Sequence, residues 1–333
     1  MTFSNERIGL IGYHCASGLG EKNRQMATYL DIDTWLIKPH KHYPTLPLHE
    51  DVDSIICPTG RSIKLEGFLK AVDTVLFDET PYYPNITHRI KEANKRIVCI
   101  ACMEWMPIEG TPWLKDVDLF ICPTRHCYDL YRKELPCIYF PWPVDTQRFQ
   151  FRERSVCERF LFLNGRGGWK GRKGASVINE TISLWPEIPL DIISQGRWEG
   201  STGPNTRILK SPINNANLYK TSDVLVSPHF MDGTGLEQME AMASGLPVIN
   251  TDGRPWNELP SIAFINSTVS TIKVKRQIDW HIPSAKHLVE ICKSLLNQDI
   301  FKESREAKEW ADSRSFDKHS STLNDLIRKG KPE

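Results

Sequence analysis

The sequence concentrates its most informative residues around a short glycine loop, Gly233-Thr234-Gly235, which follows an apolar strand pattern and leads into a helical pattern. A helix that begins directly after this loop would point unpaired backbone N–H groups and the positive end of its dipole at whatever lies above the loop. Glycine carries no side chain, so a phosphate can come close to the backbone there. The loop therefore predicts a cradle for a diphosphate.

Two acidic residues border this loop. Asp232 precedes it directly, and Glu240 lies about two turns into the predicted helix. Ionised carboxylates only accept hydrogen bonds, which suits the hydroxyl groups of a sugar or a ribose. A purely structural explanation stays open, in which Asp232 caps the helix and Glu240 binds a neighbouring backbone or basic group.

A second glycine loop, residues 165–174, follows another apolar strand pattern and holds five glycines and four cationic side chains. Open α/β sheets bind ligands at the carboxyl ends of their strands, so a loop of this composition suits an anion. Arg166 offers a rigid guanidinium fork and Lys173 a mobile point charge, and together they could neutralise a pyrophosphate leaving group. A solvated basic loop without a ligand is an equally weighted alternative.

A third glycine-rich turn, Gly18-Leu19-Gly20, leads into the first helical pattern and could approach a phosphate in the same manner. Its spacing differs from GxGxxG, so an NAD-dependent oxidoreductase with two Rossmann domains is a weaker alternative. Three Asp-x-Asp pairs match the spacing of metal-dependent transferases, but none adjoins a strong phosphate loop. We therefore predict no metal site.

Short aliphatic or β-branched runs alternate with helical segments along the 333 residues, and the alternation restarts after residue 150. This pattern predicts the α/β class, with two doubly wound, Rossmann-like sheets. The prolines of Phe140–Phe149 favour an extended connection between them. We predict a first domain at 1–145, a second at 146–307, and a terminal helix at about 308–330 that packs back on the first domain.

The composition is typical of a folded globular protein, with 40% hydrophobic residues, 25% charged residues and a formal net charge of +1. A charge so close to zero gives no broad basic field of the kind that dominates affinity for nucleic acids. No apolar stretch is long enough to span a bilayer and the first residues are polar, so we expect a cytoplasmic protein. Nine cysteines in or beside apolar runs predict reduced, buried thiols.

The segment from Asp232 to Val248 resembles the two-glutamate signature of retaining glycosyltransferase family four, in which seven residues separate the two acids, as they do here. Gly165-Arg166 and Lys173-Gly174 resemble the Gly-Arg and Lys-Gly pairs of that family, and Pro141–Phe149 resembles its linker. The resemblance implies the GT-B architecture, in which two Rossmann-like domains face a cleft. The first domain would then lie on the acceptor side and the second would bind a nucleotide-sugar donor.

The resemblance also implies roles for individual residues. Glu240 would bind the donor ribose, Asp232 the transferred sugar, and Arg166 with Lys173 the diphosphate. Gly18 and Gly20 would close over the donor from the first domain. The residues whose backbone is expected at the donor are Gly18, Gly20, Gly165, Gly233, Thr234, Gly235 and Leu236.

Two departures from the family pattern affect this expectation. The first acid is Asp232 where the family has glutamate, so the side chain is one methylene shorter and the sugar contact or the donor is expected to differ. The family also carries a histidine near the middle of its first domain, where this sequence reads Met103-Glu104-Trp105. Glu104 is a weak candidate for the same position.

The implied reaction transfers a hexosyl or pentosyl group from a nucleotide-diphosphate sugar, with retention of configuration and without a cofactor or an essential divalent metal. The acceptor stays open among a saccharide, a lipid-linked sugar and another hydroxyl compound, and a nucleic acid is open but not favoured. Cations and aromatics in Lys38–Tyr43 leave peripheral membrane contact open. A non-catalytic sugar-nucleotide-binding protein is the main alternative.

Overall fold

The computed structural model describes residues 6–48, 50–60, 63–104, 111–165, 171–212, 214–273 and 277–332. The chain divides into two compact units, Met1–Pro143 with Phe316–Glu333, and Val144–Ser315. The sequence pattern predicts this division at residue 145 and a terminal helix at about 308–330. Two helices, Phe301–Ser313 and Phe316–Lys329, cover that region, the former in the second unit and the latter in the first.

The first unit contains a parallel sheet of seven strands in the order β3-β2-β1-β4-β5-β6-β7. Its described elements in chain order are β1 (Ile8–Gly12), α1 (Gly18–Tyr29), β2 (Ile32–Ile37), β3 (Asp53–Ile56), α2 (Ile63–Ala71), β4 (Thr74–Asp78), α3 (Ile86–Glu92), β5 (Arg96–Ile100), a 3-10 turn (Pro112–Asp116), β6 (Leu119–Cys122), α4 (Arg125–Tyr131), β7 (Cys137–Tyr139) and, from the end of the chain, α9 (Phe316–Lys329).

Burial explains why the first sheet forms from this sequence. Every residue of β1 and of β4 is buried, as expected for parallel strands covered on both faces. The terminal helix α9 contributes to this cover, since Phe316 stacks on Tyr29 of α1 with ring centroids 4.6 Å apart. Arg96 of β5 donates from Nε to the carbonyl oxygen of Ile327 at 3.0 Å.

The second unit contains a parallel sheet of six strands in the order β10-β9-β8-β11-β12-β13, together with an antiparallel hairpin of β14 and β15. Its described elements are β8 (Phe160–Gly165), α5 (Ala175–Leu184), β9 (Leu190–Ser194), β10 (Thr206–Lys210), a 3-10 turn (Asn215–Asn217), β11 (Val224–Ser227), α6 (Leu236–Ala243), β12 (Val248–Thr251), a 3-10 turn (Trp256–Glu258), β13 (Ala263–Ile265), β14 (Ser267–Lys273), β15 (Gln277–Pro283), α7 (Ala285–Leu295) and α8 (Phe301–Ser313).

The strand order of the second sheet determines where a ligand would bind. The strands β9 and β10 lie on one side of β8, and β11, β12 and β13 lie on the other. The chain therefore adds β9 and β10 on one side of β8 and then crosses over to add β11, β12 and β13 on the other side. Ligands of doubly wound sheets bind outside the carboxyl ends of the strands at such a switch point. The two glycine loops of this unit follow these two strands.

Two further sequence predictions can be compared with the structure. All nine cysteines are free and buried, which confirms the prediction of buried thiols. Among the described residues, no helix combines the length and the apolar character needed to cross a bilayer.

Candidate functional site

The helices α5 and α6 both begin after a glycine in the left-handed conformation. Gly174 precedes α5 with φ 83° and Gly235 precedes α6 with φ 78°. A Cβ on Gly174 would lie 2.0 Å from the carbonyl oxygen of Pro228, so only glycine lets the two loops approach this closely. Residues 171–174 therefore pack directly against the loop after β11.

Backbone hydrogen bonds join these two loops. The N–H group of Phe230 donates to the carbonyl oxygen of Arg172 at 2.7 Å. The guanidinium of Arg172 donates in return to the carbonyl oxygen of Met231 at 3.3 Å. This pairing fixes Lys173, the next residue in the chain, beside the first turn of α6.

Five charged side chains form an alternating row at this edge, which we call the charge row: Lys173, Glu237, His229, Asp232 and Arg172. Lys173 forms an ion pair with Oε2 of Glu237, whose Oε1 lies 2.7 Å from Nε2 of His229. The Nδ1 atom of His229 lies 3.1 Å from Oδ2 of Asp232. Nη1 of Arg172 lies 3.9 Å from Oδ1 of Asp232. Each acid thus lies between two basic groups.

The central histidine of the charge row is completely buried, and both of its ring nitrogens face carboxylate oxygens. Burial alone would lower the pKa of His229, but the carboxylates of Glu237 and Asp232 outweigh burial and raise the pKa above its ordinary value. A ring with acceptors at both nitrogens is best served by the imidazolium form, which has two N–H donors. The charge row therefore favours a buried positive charge between two negative ones.

The two acids of the charge row are correspondingly held in the ionised form. Burial would raise the pKa of Glu237, but Lys173 and His229 lower the pKa to about 2. For Asp232, burial is again opposed by His229, Arg172 and Lys173, which hold the pKa well below its usual range. Asp232 also accepts a hydrogen bond through Oδ1 from the N–H group of Gly233 at 2.7 Å.

Glu240 lies on α6 and is buried. The hydroxyl group of Tyr219 donates to its Oε2 atom at 2.7 Å. Tyr219 is in turn held by Arg154, whose Nη2 atom donates to the Tyr219 carbonyl oxygen at 2.6 Å. Arg154 also donates to the carbonyl oxygen of Ser244 at the end of α6. The hydroxyl group of Tyr219 therefore holds the Glu240 carboxylate, and Arg154 holds the backbone of Tyr219 and the end of α6.

The structure brings most of the predicted residues of the second unit to one sheet edge. Gly165 ends β8 with φ 57°, and its carbonyl oxygen accepts a hydrogen bond from the N–H group of Gln195 at 2.7 Å. Arg166 lies outside the described residues. The residues at the start of α6 and beside it are Lys173, Asp232, Gly233, Thr234, Gly235, Leu236 and Glu240.

The other predicted glycines, Gly18 and Gly20, lie in the first unit at the start of α1. The hydroxyl group of Ser17 accepts a hydrogen bond from the N–H group of Gly20 at 3.0 Å and so caps the helix. A Cβ on Gly20 would lie 2.1 Å from the carbonyl oxygen of Cys15. Packing thus accounts for glycine at position 20, and the predicted donor contacts of Gly18 and Gly20 stay predictions.

Four residues of this site were given no role from the sequence, namely Arg172, His229, Glu237 and Tyr219. His229 follows the buried strand β11 by two positions, which is one sign that a strand-end side chain can enter the site. Glu237 reads as an ordinary acid in the first turn of a helix, where the helix dipole favours it. Tyr219 has no local relation to Glu240, so its role depends on the tertiary fold.

Comparison with known proteins identifies one segment and the overall architecture. Residues 197–261 match the model of the family described as "Glycosyl transferases group 1", and these residues include His229, Asp232, Glu237 and Glu240. No sequence among curated proteins matches the chain. Within the described residues, no group of three or more His, Cys, Asp and Glu is arranged to hold a metal ion.

Solved structures match the chain along almost its whole length. A sucrose-phosphate synthase from Thermosynechococcus elongatus matches with a TM-score of 0.68 and 16% identity, over 98% of this chain and 99% of the other. A glycosyltransferase from Rickettsia africae ESF-5 matches with a TM-score of 0.66 and 13% identity, over 98% and 100%. WaaG, a glycosyltransferase involved in lipopolysaccharide biosynthesis, matches with a TM-score of 0.61 and 15% identity, over 97% and 100%.

These matches confirm the predicted fold class. The chain has the GT-B fold, with two Rossmann-like domains built on parallel sheets. The segment of the glycosyltransferase type contains the glycine loop after β11, α6 and β12, which are the elements that hold the predicted acids. The solved structures thus show the fold, and the family match concerns residues 197–261.

Proposed function

We propose that the protein is a glycosyltransferase that moves a sugar from a nucleotide-diphosphate sugar to a hydroxyl group of an acceptor. The proposal rests mainly on one observation, that Lys173 lies beside the first turn of α6 at the switch point of the second sheet. A cation and a helix start at one sheet edge are the features that a diphosphate requires. The family segment at residues 197–261 supports the same class of substrate.

The proposed role of this edge is to receive the diphosphate as the sugar leaves. When the bond between the sugar and the phosphate breaks, additional negative charge develops on the diphosphate. Lys173 and the backbone N–H groups that follow Gly235 would therefore stabilise the transition state more strongly than the bound donor. Arg166, which lies outside the described residues, is proposed to add a bidentate contact.

Glu240 is proposed to bind the ribose of the donor. Its carboxylate is fixed by Tyr219, and a carboxylate can accept several hydrogen bonds at once. Asp232, with the backbone of Gly235 and Leu236, is proposed to lie beside the sugar and the phosphates. Because Asp232 is one methylene shorter than glutamate and is held by His229, we expect it to lie further from the sugar than a glutamate would.

The finer features of the reaction follow from the family resemblance and are part of the proposal. They are retention of configuration, a hexosyl or pentosyl group, independence from a divalent metal and activity in the cytoplasm. Because His229 and the N–H group of Gly233 already contact the two oxygens of Asp232, the diphosphate itself is proposed to assist the attacking hydroxyl. One alternative is a protein that binds sugar nucleotides without turnover, because Asp232 departs from the family pattern and a binding site alone does not establish catalysis.

A screen of ligands tests this proposal directly. Purified protein would be melted in the presence of UDP, GDP, ADP and dTDP and of the corresponding nucleotide sugars. A ligand that binds only the folded state raises the apparent melting temperature. We expect one nucleoside diphosphate and its sugars to stabilise the protein, and the absence of any shift would contradict the proposal.

A second measurement separates an enzyme from a binding protein. The nucleotide sugars that stabilise the protein would be incubated with it, and release of the nucleoside diphosphate would be followed by chromatography. An enzyme releases diphosphate by slow hydrolysis even without its acceptor, whereas a binding protein leaves the donor intact. Binding without release, in the presence of a panel of saccharide and lipid acceptors, would favour the alternative.

A further inference from the structure

The ion pair between Lys173 and Glu237 places an anion of the protein itself on the cation that is proposed to meet the donor. A carboxylate offers an ammonium group the same negative charge and the same kind of acceptor oxygens as a phosphate does. The side chains of Lys173 and Glu237 are 19% and 12% exposed, respectively. The pair is therefore accessible from solvent, and an incoming anion can reach the ammonium.

The other side of Glu237 is held by a second positive group. Its Oε1 atom lies 2.7 Å from Nε2 of His229, which is completely buried. Asp232 at 3.1 Å holds the opposite nitrogen of the same ring. If Lys173 moved away, the Glu237 carboxylate would thus keep a charged partner in a fixed place. Without such a partner, a carboxylate that is mostly shielded from water would be destabilised.

We propose that Glu237 competes with the donor phosphates for Lys173, and that His229 is a positioning residue that holds the Glu237 carboxylate after Lys173 has moved to the phosphates. This inference rests on the proposed function and adds an exchange of partners to it. In the ligand-free protein Lys173 binds Glu237. In the complex Lys173 binds the diphosphate, and Glu237 stays with His229.

The charges of the row determine what the exchange does to affinity. With His229 protonated, three positive groups and two acids give the charge row a net charge of +1. The diphosphate must displace the Glu237 carboxylate from Lys173 and then lie close to that carboxylate. The lost ion pair and the repulsion between the two negative groups both weaken binding. Removing the charge of Glu237 raises the net charge to +2 and removes the competitor, so it should strengthen binding.

The substitution Glu237→Gln tests the competition. We expect the affinity for the nucleoside diphosphate, chosen as the one that gives the largest shift in the panel of UDP, GDP, ADP and dTDP, to rise about tenfold in isothermal titration calorimetry. Glu306→Gln is the matched control, because Glu306 pairs with Lys302 at 3.6 Å on the exposed side of α8. The control should leave the affinity unchanged. Equal or weaker binding by a folded Glu237→Gln variant would overturn the proposal.

The role of His229 has a readout in the unaltered protein. Within the part of the chain that the structure describes, the charged groups that act on its ring are Asp232 from its own loop, Glu237 from α6 and Lys173 just before α5. When Lys173 leaves and a diphosphate arrives, the imidazolium is held more tightly, so binding should take up protons. Above about pH 7.5 the phosphates of the ligand are already fully ionised and do not contribute.

Above about pH 7.5, we therefore expect the affinity of the unaltered protein for the same nucleoside diphosphate to fall as the pH rises through the raised pKa of His229. His229→Gln should remove this dependence, because an amide does not titrate in this range. A flat profile in the unaltered protein would overturn the role of His229 even if the variant failed to fold. If no nucleoside diphosphate bound to the unaltered protein, the proposed function itself would fail, which is a different outcome.

Discussion

Both units contain a lysine next to a glycine-led helix start, but the two lysines differ in burial. In the first unit, Nζ of Lys22 lies 2.9 Å from Oδ1 of Asp78, and the two side chains are 3% and 0% exposed. In the second unit, Lys173 and its partner Glu237 are both partly exposed. A lysine and a carboxylate thus form a sealed pair in the first unit and a partly exposed pair in the second.

This difference shows what a glycine loop and a lysine do not establish by themselves. Lys22 also lies 4.7 Å from the ring centroid of Trp142, so its ammonium is enclosed by protein groups. An enclosed ammonium stabilises the fold and is not accessible to a phosphate. Lys173 meets solvent, and we propose that it changes its partner when the donor binds. The exposure of the ion pair, more than the motif, separates a structural lysine from a candidate ligand-binding one.

The largest expected effect concerns the sealed pair. Lys22→Ala leaves the buried Asp78 carboxyl group without its partner, so that it must stay charged or take up a proton, and we expect the free energy of unfolding to fall by roughly 3–5 kcal/mol. Urea denaturation followed by circular dichroism measures this, with Lys70→Ala on the exposed side of α2 as the control. A loss below about 1 kcal/mol is typical of surface salt bridges, and it would contradict the difference in burial between the Lys22 pair and the Lys173 pair.

The next effect concerns the donor site. Glu240→Ala removes the carboxylate proposed to bind ribose, and hydrogen bonds to charged groups are worth about 1.5–3 kcal/mol. We therefore expect the affinity for the nucleoside diphosphate to fall about tenfold to hundredfold in calorimetry. Tyr219→Phe keeps the carboxylate and loses only its hydrogen bond, so it should cost less affinity. Unchanged binding by Glu240→Ala would show that Glu240 has a structural role alone.

A third prediction compares two glycines of the first unit. A Cβ on Gly20 would lie 2.1 Å from a backbone oxygen, whereas a Cβ on Gly18 meets no atom of the described residues within 4 Å. Gly20→Ala should therefore lower the free energy of unfolding by about 1–3 kcal/mol, and Gly18→Ala should change it little. Denaturation measures both. Weaker nucleotide binding by a stable Gly18→Ala variant would support the predicted donor contact of this loop.

The smallest effect is the pH dependence of stability that His229 contributes. Its pKa is raised in the folded protein, because two carboxylates outweigh burial. Its stabilising contribution is therefore complete below the pKa of the unfolded chain and is lost as the pH rises through the folded pKa. We expect stability to decrease above neutral pH more in the unaltered protein than in His229→Gln. Parallel melting profiles for the two proteins would contradict a charged ring.

Local sequence patterns predicted the strands, loops and helices at the carboxyl edge of the second sheet, but not the contacts between their side chains. Gly235 predicted a helix start, and α6 begins at Leu236. Glu237 lies 64 residues after Lys173 in the sequence. Its contacts with Lys173 and His229 depend on how the chain before α5 packs against the loop after β11, and no period or motif encodes this packing. The same holds for Tyr219, which lies 21 residues before Glu240.

The first unit shows a further limit of the sequence. The glycine turn at Gly18 and Gly20 has the composition of a phosphate loop, but the contact of Gly20 with Cys15 explains one of the two glycines by packing. A close approach between backbones cannot be read from residue types. The alternation of strands and helices, in contrast, is a property of the chain itself, and it predicted both parallel sheets.

The most direct test of the account is the turnover of a nucleotide sugar by a variant with both proposed diphosphate contacts removed. We predict that Lys173→Ala combined with Arg166→Ala lowers the rate of nucleoside diphosphate release about a hundredfold or more, because the charge that develops on the leaving group loses its stabilising partners. Lys302→Ala, whose side chain is 79% exposed, should keep the full rate. Turnover by the double variant at the rate of the unaltered protein would contradict the assignment of the diphosphate site.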